Sequence, residues 1–205
     1  MTARLCLALA LLAVSSASAQ RIFVLDPDHT FGGYIGGTVR AGSLYHQSAI
    51  LTGGVTAIVV DRRLTVGLEG TALASDIVIH PSPSSRASLR MLYGGVVIAY
   101  TVAGELPVHP VLRATVGGGG VRPVRQVFTY PPSLMVLMVD MPVDGPDDAF
   151  FVAEPGLGIE ATLGPHVRVE LSALYRIVMG IATPGLDNLG IGGATVALTA
   201  KVGLW

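Results

Sequence analysis

Apolar and polar positions alternate along most of the chain, in segments separated by turn residues. A period of two is typical of β-strands, because successive side chains of a strand point to opposite faces. No apolar run reaches the roughly 18 residues that a membrane-spanning helix needs. The alternation predicts eight strands, at residues 33–42, 48–60, 64–75, 88–101, 109–121, 148–163, 167–179 and 191–205.

The connections between the predicted strands alternate in length. Three are short, at residues 61–63, 102–108 and 164–166, and three are longer, at residues 76–87, 122–147 and 180–190. The remaining connection, residues 43–47, is the short exception among the outer loops. Short periplasmic turns and longer external loops are typical of outer-membrane barrels. With an even number of strands, both ends of the barrel are then expected on the periplasmic side.

Composition favours a barrel in a membrane over a soluble one. Hydrophobic residues make up 51% of the 205 residues and charged residues only 13%, whereas charged residues are about a quarter of a soluble domain. Only helices and closed barrels satisfy the backbone inside lipid, and the 26 glycines and 13 prolines disfavour helices. The predicted fold is all-β, an eight-stranded antiparallel up-and-down transmembrane β-barrel.

The first residues predict export from the cytoplasm. A basic residue precedes an apolar segment at residues 5–14 and an Ala-x-Ala sequence that ends at Ala19. This arrangement is typical of a secretory signal peptide cleaved after Ala19. We therefore expect a signal peptide at residues 1–19, a lead at residues 20–31 and a barrel domain at residues 32–205, located in the bacterial outer membrane.

The charged residues share one face of each predicted strand. In the seventh strand, Glu170 and Arg176 lie on the face opposite Val169 and Leu171. An eight-stranded barrel is narrow enough to be filled by side chains, so this face is expected to close the interior and not to line an open pore. An unpaired charge in the barrel interior would cost on the order of several kcal/mol of stability, so we expect the charged side chains to form ion pairs.

Counting residues from the short turns places these charges at two heights. The lower layer is expected to contain Glu69, Arg113, Glu160, Glu170 and Lys201, and the upper layer to contain Arg40, Glu154 and Arg176. We interpret this interior ion-pair network as a plug, since acids and bases alternate with threonine and glycine between them. A gate or a narrow ion path is the other interpretation of the same residues.

The sequence contains few candidates for catalysis or for binding a cofactor. Cys6 is the only cysteine and lies within the predicted signal peptide, so thiol chemistry is excluded from the mature chain. The histidines lack metal-ligand spacing, and a net charge of -1 does not suggest nucleic acid. We predict no catalytic, cofactor-binding or metal-binding residues. Gly117 to Gly120 are expected to form a closely packed strand at the barrel rim, because no helix pattern follows them.

Two alternatives remain open. A lipid-modifying enzyme of the outer membrane would depend on His80 and Ser82, whose His-x-Ser spacing is similar to that of outer-membrane lipid A deacylases. In the second alternative, a soluble periplasmic lipocalin-like binding barrel, the apolar face of each strand would point inward and the charged face outward. In that case Leu157 would lie in the core and Glu160 would be replaceable.

The longest predicted loop contains two apolar arms. Residues 127–130 and 134–139 flank Pro131 and Pro132. This arrangement predicts that the adjoining strands continue above the membrane as a hairpin. We expect the hairpin either to pack over the barrel mouth or to contact a lipid, a ligand or another protein, because exposed apolar patches usually have a function.

The C-terminal third of the chain carries a family resemblance. The segments concerned are FFVAEPG at residues 150–156, RVEL at residues 168–171, YR at residues 175–176 and KVGLW at residues 201–205. Together with Tyr93-Gly94-Gly95 and the glycine run at Gly117, they resemble small bacterial outer-membrane β-barrels, similar to the transmembrane domain of outer-membrane protein A and its X-type relatives. The resemblance implies a fold and carries no catalytic residues.

Two residues depart from the expected pattern. Trp205 resembles the terminal aromatic signal that the barrel-assembly machinery reads, which makes that machinery and outer-membrane lipid the expected partners. Because Gly203 and Lys201 replace the usual apolar alternate positions, either a terminal twist turns Trp205 outward or the signal is a variant. Pro155 removes a ladder hydrogen bond from its strand, so we expect a bulge near Glu154.

Overall fold

The computed structural model describes residues 30–82, 85–104, 106–129, 137–142, 148–182 and 186–205. The predicted signal peptide and all but the last two residues of the predicted lead lie outside these residues. In the described part of the chain, no helix is long and apolar enough to cross a membrane.

Most of the described chain is β-strand. The strands are β1 (Phe31–Leu44), β2 (Gln47–Val60), β3 (Leu64–Leu73), β4 (Val78–Ser82), β5 (Ser85–Thr101), β6 (Val108–Thr129), β7 (Leu137–Pro142), β8 (Asp148–Thr162), β9 (Val167–Met179) and β10 (Gly193–Leu204). A short helix, α1 (Asn188–Ile191), lies between β9 and β10 and is capped by the Asp187 side chain, which accepts a hydrogen bond from the Gly190 amide.

Within the described residues, eight of the strands close into a barrel. Their order is β1, β2, β3, β5, β6, β8, β9 and β10, and β10 pairs with β1 to complete the ring. Every pairing in the ring is antiparallel. The predicted all-β, eight-stranded antiparallel fold is confirmed, and most strand ends lie within three residues of their predicted positions.

Two hairpins extend from the barrel. Strand β6 continues past its last pair with β8, at Val121 and Asp148, and its residues 124–129 pair with β7. The hairpin predicted in the longest loop is therefore confirmed. Strand β4 forms a second hairpin with the start of β5, which the alternation did not predict because Pro81 and Pro83 interrupt it.

The alternation in sequence becomes an inner and an outer face. In β9, Glu170 and Arg176 are buried, whereas Leu171 and Tyr175 are exposed. Leu174, which interrupts the polar face in the sequence, is also buried. It lies in the barrel interior with the charged residues, because the side-chain period of a strand leaves no other side for it.

Pro155 does not produce the expected bulge. The pairing between β8 and β9 stops after Ala153 and Ile177 and resumes at Gly156 and Leu174 in the same register. The prediction of a bulge near Glu154 was wrong. A proline lacks only the N–H donor, and the strand accommodates that loss by leaving two positions unpaired on one side, while Pro155 stays in register with Ala114 on the other.

The glycine run lies in β6, near the end of its pairing with β8. Gly117 is paired with Gly95 of β5, and a Cβ atom at Gly117 would overlap the carbonyl oxygen of Gly94. Glycine is required here because the two backbones approach too closely for a side chain. This contact confirms that the run belongs to a closely packed strand.

Candidate functional site

The barrel interior is filled by side chains of two kinds. Toward the long loops, an apolar cluster includes Leu44, Leu51, Leu89, Phe150 and Ile191. A smaller apolar cluster lies nearer the short turns and comprises Tyr34, Val55, Ala57, Val59 and Val97. The buried charged side chains lie on the short-turn side of the first cluster and next to the second. Most of them belong to β6, β8, β9 and β10. The charges are therefore enclosed by apolar contacts.

The eight residues of the predicted network all lie in this interior and all form ion pairs. Toward the long loops, Glu154 is shared by two arginines. Its Oε1 accepts from Arg176 Nε at 2.9 Å, and its Oε2 accepts from Arg40 Nη1 at 2.5 Å. The Tyr93 hydroxyl also donates to Glu154 Oε1, at 2.8 Å. Strands β1, β5, β8 and β9 thus meet at one carboxylate.

Arg40 connects this group to the charges nearer the short turns. Its Nη2 donates to Glu69 Oε1, across from β1 to β3. Glu69 Oε2 in turn accepts from Arg113 Nη2 at 2.6 Å and from Thr115 Oγ1 at 2.9 Å. The two layers expected from the sequence therefore form a single connected network.

The remaining predicted residues continue the network toward the short turns. Arg113 Nη1 donates to Glu170 Oε1 at 3.1 Å. Lys201 Nζ then lies between two carboxylates, at 2.5 Å from Glu170 Oε2 and 2.5 Å from Glu160 Oε2. One ammonium group thus compensates two acids that would otherwise repel each other across β8 and β9, where they stand directly opposite.

Two residues that the sequence reasoning left out also belong to the network. Arg168 Nη1 donates to Glu160 Oε1 at 3.0 Å, and His109 Nε2 lies 3.0 Å from the same oxygen. His109 Nδ1 lies 3.0 Å from the Leu106 carbonyl oxygen. The alternation within the predicted strand 109–121 could have identified the histidine, because His109 and Arg113 are four residues apart and share one face.

The network is nearly balanced in charge. Among the described interior side chains, Arg40, Arg113, Arg168, Arg176 and Lys201 face four glutamates. Each of these glutamates contacts at least two cations. Within the described residues, no group of three or more His, Cys, Asp or Glu side chains could hold a metal ion.

Trp205 lies against the interior end of the barrel. Its ring stacks on Tyr34 with 5.2 Å between centroids, and the Arg168 guanidinium lies 3.9 Å from the Trp205 ring centroid. Of the two alternatives for the terminal residue, the outward twist is therefore wrong. Recognition of Trp205 by the assembly machinery stays a prediction.

The outer face of the barrel is apolar. Leu157 is 64% exposed, whereas Glu160, three residues further along β8, is 2% exposed. A soluble barrel has the opposite arrangement, with aliphatic side chains inside and charges in water. The lipocalin-like alternative, which requires Leu157 in the core, is overturned by this placement.

The long-loop end is held together by contacts between connections. The Asp187 amide donates to Tyr45 Oη at 2.9 Å, and the Tyr45 amide donates to the Gly190 carbonyl at 2.7 Å. Partial burial raises the pKa of the Tyr45 hydroxyl above its ordinary value. His80 and Ser82, on which the enzyme alternative depends, lie on β4, but their side chains are outside the described part of the structure.

Comparison with known proteins identifies the fold. No protein-family model and no curated protein matches the chain. Neisserial surface protein A (NspA) is similar in structure, with a TM-score of 0.50, 13% identity, and coverage of 86% of this chain and 97% of that chain. The N-terminal β-barrel domain of Pseudomonas aeruginosa OprF gives a TM-score of 0.47 at 12% identity, over 84% of this chain and 97% of that chain. The likeness to NspA supports the predicted fold, that of a small outer-membrane β-barrel.

Proposed function

We propose that this protein is an integral outer-membrane β-barrel with a closed, charge-plugged interior and a recognition surface at its long-loop end. The observation that carries the proposal is the inverted placement of charge, with ion pairs inside the barrel and aliphatic side chains outside. Lipid is the environment in which that arrangement is stable, because it solvates the outer face and excludes unpaired charges from it.

The height of the apolar surface supports placement in a membrane. Along β5 and the residue after it, the outward positions from Leu92 to Val102 carry only apolar side chains, Tyr100 or glycine. At about 3.4 Å per residue this stretch is roughly 34 Å long. A strand tilt of about 40° reduces its height to roughly 26 Å, which matches the apolar band of about 25 Å in outer-membrane barrels.

The packing of the barrel interior supports a structural role and argues against conduction and catalysis. The apolar cluster that contains Leu51 and Leu89 lies over the network on the side of the long loops. The ion pairs fill the space below it, and every glutamate in them is engaged by cations from other strands. We therefore infer that the network holds the strands in register, that the barrel is not an open pore and that it is not an enzyme.

The hairpin of β6 and β7 supports a recognition role. Beyond Val121, where the pairing with β8 ends, β6 continues for eight residues to Thr129, about 27 Å along the strand. Pairing with β7 gives this extension a defined backbone. An ordered projection of this kind is suited to contact a partner outside the membrane.

Two measurements on the refolded protein test the proposal. In detergent, the unheated protein should migrate differently from the heated protein on a gel, and in a planar bilayer it should show no stable conductance steps. Replacement of residues 125–142 by a short Gly-Ser linker should leave this migration unchanged, because β6 and β8 pair only as far as Val121. Purification as a soluble species, or stable channels in the bilayer, would contradict the proposal.

A further inference from the structure

A groove of about 500 Å³ lies at the long-loop end, between the turn that joins β1 to β2 and the connection that contains α1. The described residues that line it are Ser43, Tyr45 and His46 on the side of the turn and Asp187, Leu189, Gly190 and Gly192 on the side of α1. A volume of this size is common for small-molecule sites. These residues belong neither to the ion-pair network nor to the β6–β7 hairpin, so the roles proposed above leave the groove unexplained.

Contacts between its two sides hold the groove in shape. The Tyr45 amide donates to the Gly190 carbonyl at 2.7 Å, and the Asp187 amide donates to Tyr45 Oη at 2.9 Å. The Tyr45 ring packs directly on Gly190, where a Cβ atom would overlap it. A groove that is already formed costs little reorganisation when a ligand binds.

His46 has a backbone conformation that is unfavourable for a residue with a side chain. Tyr45 and His46 form the two-residue turn between β1 and β2, with φ angles of 48° and 61°. Glycine, asparagine and aspartate are preferred at such positions. Tyr45 is compensated by its contacts with Gly190 and Asp187, whereas the exposed His46 side chain has no hydrogen bond or ion pair with a described residue. An exposed imidazole at a strained position of the groove wall indicates a role in binding.

The polar groups of the groove suit a neutral ligand that is rich in hydroxyl groups. Asp187 Oδ1 accepts from the Gly190 amide, and Asp187 Oδ2 accepts no hydrogen bond from a described residue. Ser43 and His46 can each donate and accept. The carboxylate disfavours an anion in the groove. Only one carboxylate and one imidazole line the described wall, which is fewer protein ligands than a zinc site has.

The apolar part of the groove suits the ring of a sugar. Leu189 is 90% exposed and stands beside these polar groups. The C–H groups of a sugar ring can pack on an aliphatic side chain while the ring hydroxyl groups bond to a carboxylate and an imidazole. Covering Leu189 in this way removes apolar surface from water, which favours binding. A purely aliphatic ligand would leave the polar groups of the groove without partners.

We propose that this groove binds a neutral saccharide, with its hydroxyl groups on Asp187 and His46 and one face of its ring against Leu189. The groove lies at the barrel rim, because the outward face of β1 ends there at Ser43, beyond the exposed, apolar Val39. This inference rests on the proposed membrane placement, in which the groove opens toward the outside of the cell. It goes beyond the recognition role of the β6–β7 hairpin, since the two sites share no residue.

Saturation-transfer difference NMR of the barrel in phosphatidylcholine nanodiscs tests the proposal. The probes are glucose, galactose, N-acetylglucosamine and lactose, with glucuronate as a charged sugar and empty nanodiscs as the blank. We expect transfer to at least one neutral sugar and about tenfold weaker binding of glucuronate, which the Asp187 carboxylate repels. Asp187→Asn keeps an acceptor for the Gly190 amide. It should weaken binding of the neutral sugar by about fivefold, because bonds to an ionised acceptor are stronger.

The variant His46→Gly separates binding from stability. Glycine adopts a positive φ without strain, so the midpoint temperature of the heat-induced gel shift should rise. Sugar binding should weaken by about tenfold, the loss expected for one hydrogen bond. Arg62→Gly is the matched control, because Arg62 has a φ of 55° in the turn between β2 and β3, at the opposite end of the barrel. It should also raise the midpoint but leave sugar binding unchanged.

No transfer to any of the four neutral sugars, or equal binding by the wild type and His46→Gly, overturns the proposal. Glucuronate binding as tight as that of the neutral sugars overturns the assignment to a neutral ligand. The variant in which a linker replaces residues 125–142 should bind like the wild type, and its loss of binding would contradict the assignment to this groove. Gel migration before and after heating separates the two proposals. A barrel that does not insert contradicts both, whereas an inserted barrel without sugar binding contradicts only this one.

Discussion

Arg40 of β1 forms a buried ion pair with Glu69 of β3, and this contact joins the charges near the long loops to those near the short turns. The two residues are separated by the whole of β2, whose residue Gly53 places no side chain between them. Removal of either partner therefore affects both halves of the network.

Arg40→Met should destabilise the barrel by about 3–5 kcal/mol, because it leaves Glu69 and Glu154 each with fewer cations in a buried site. Adding Glu69→Met should recover part of that loss, since the second change removes one of the undercompensated charges. Urea unfolding in detergent, followed by gel migration, measures both. Arg62→Met at an exposed turn is the control and should change stability little. Additive losses in the double variant would contradict the coupling.

Leu157→Arg should impair insertion by about 2–4 kcal/mol, the cost of an arginine facing the middle of the bilayer. Leu189→Arg is the matched control, because Leu189 is 90% exposed on α1 at the long-loop end. The fraction of refolded protein in lipid vesicles should fall only for Leu157→Arg. Equal insertion of the two variants would argue against a lipid-facing Leu157.

Gly117→Ala should destabilise the barrel, because its Cβ atom would overlap the backbone of β5 at Gly94 and Gly95. Gly37→Ala is the control, since a Cβ atom there meets nothing within 4 Å. The control should be neutral or more stable by about 0.4–1 kcal/mol, because alanine restricts the unfolded chain. The midpoint temperature of the heat-induced gel shift distinguishes the two variants, and equal midpoints would contradict the close approach of β5 and β6.

Trp205→Ala should lower the stability of the barrel refolded in detergent by about 2 kcal/mol. The loss combines the ring contact with Tyr34 and the cation–π contact with Arg168. Trp205→Phe should retain part of the stability. Because refolding in detergent involves no assembly machinery, an unchanged stability in Trp205→Ala would leave assembly as the role of this residue and contradict its packing role.

Much of the barrel follows from local sequence pattern. The two faces of β8 and β9 follow from the alternation around Glu160 and Glu170, because in a strand the period of two sets the side of each residue. Alternation does not predict a strand whose residues depart from the period of two. Strand β4 is such a case, since Pro81 interrupts its pattern and only pairing with β5 forms the strand.

Pairwise contacts in the interior could be predicted only in part. The sequence places Arg40 and Glu154 on the inner face but does not determine which cationic side chain pairs with which carboxylate. That choice depends on the stagger between strands, which backbone hydrogen bonding across the closed barrel determines. His109 was missed although the predicted strand 109–121 already puts it on the same face as Arg113. It stands at the end of that strand, where a residue is as easily assigned to the preceding turn.

The sequence by itself determined the strand content, the number of barrel strands and the segregation of charge from aliphatic side chains, since all three are encoded by neighbours two residues apart. Only the tertiary structure decided that the charges form one network, that Trp205 faces inward, that Pro155 keeps its register and that Lys201 lies between Glu160 and Glu170. These four features depend on the alignment of strands distant in the chain, and that alignment is set by closure of the barrel and not by any local pattern.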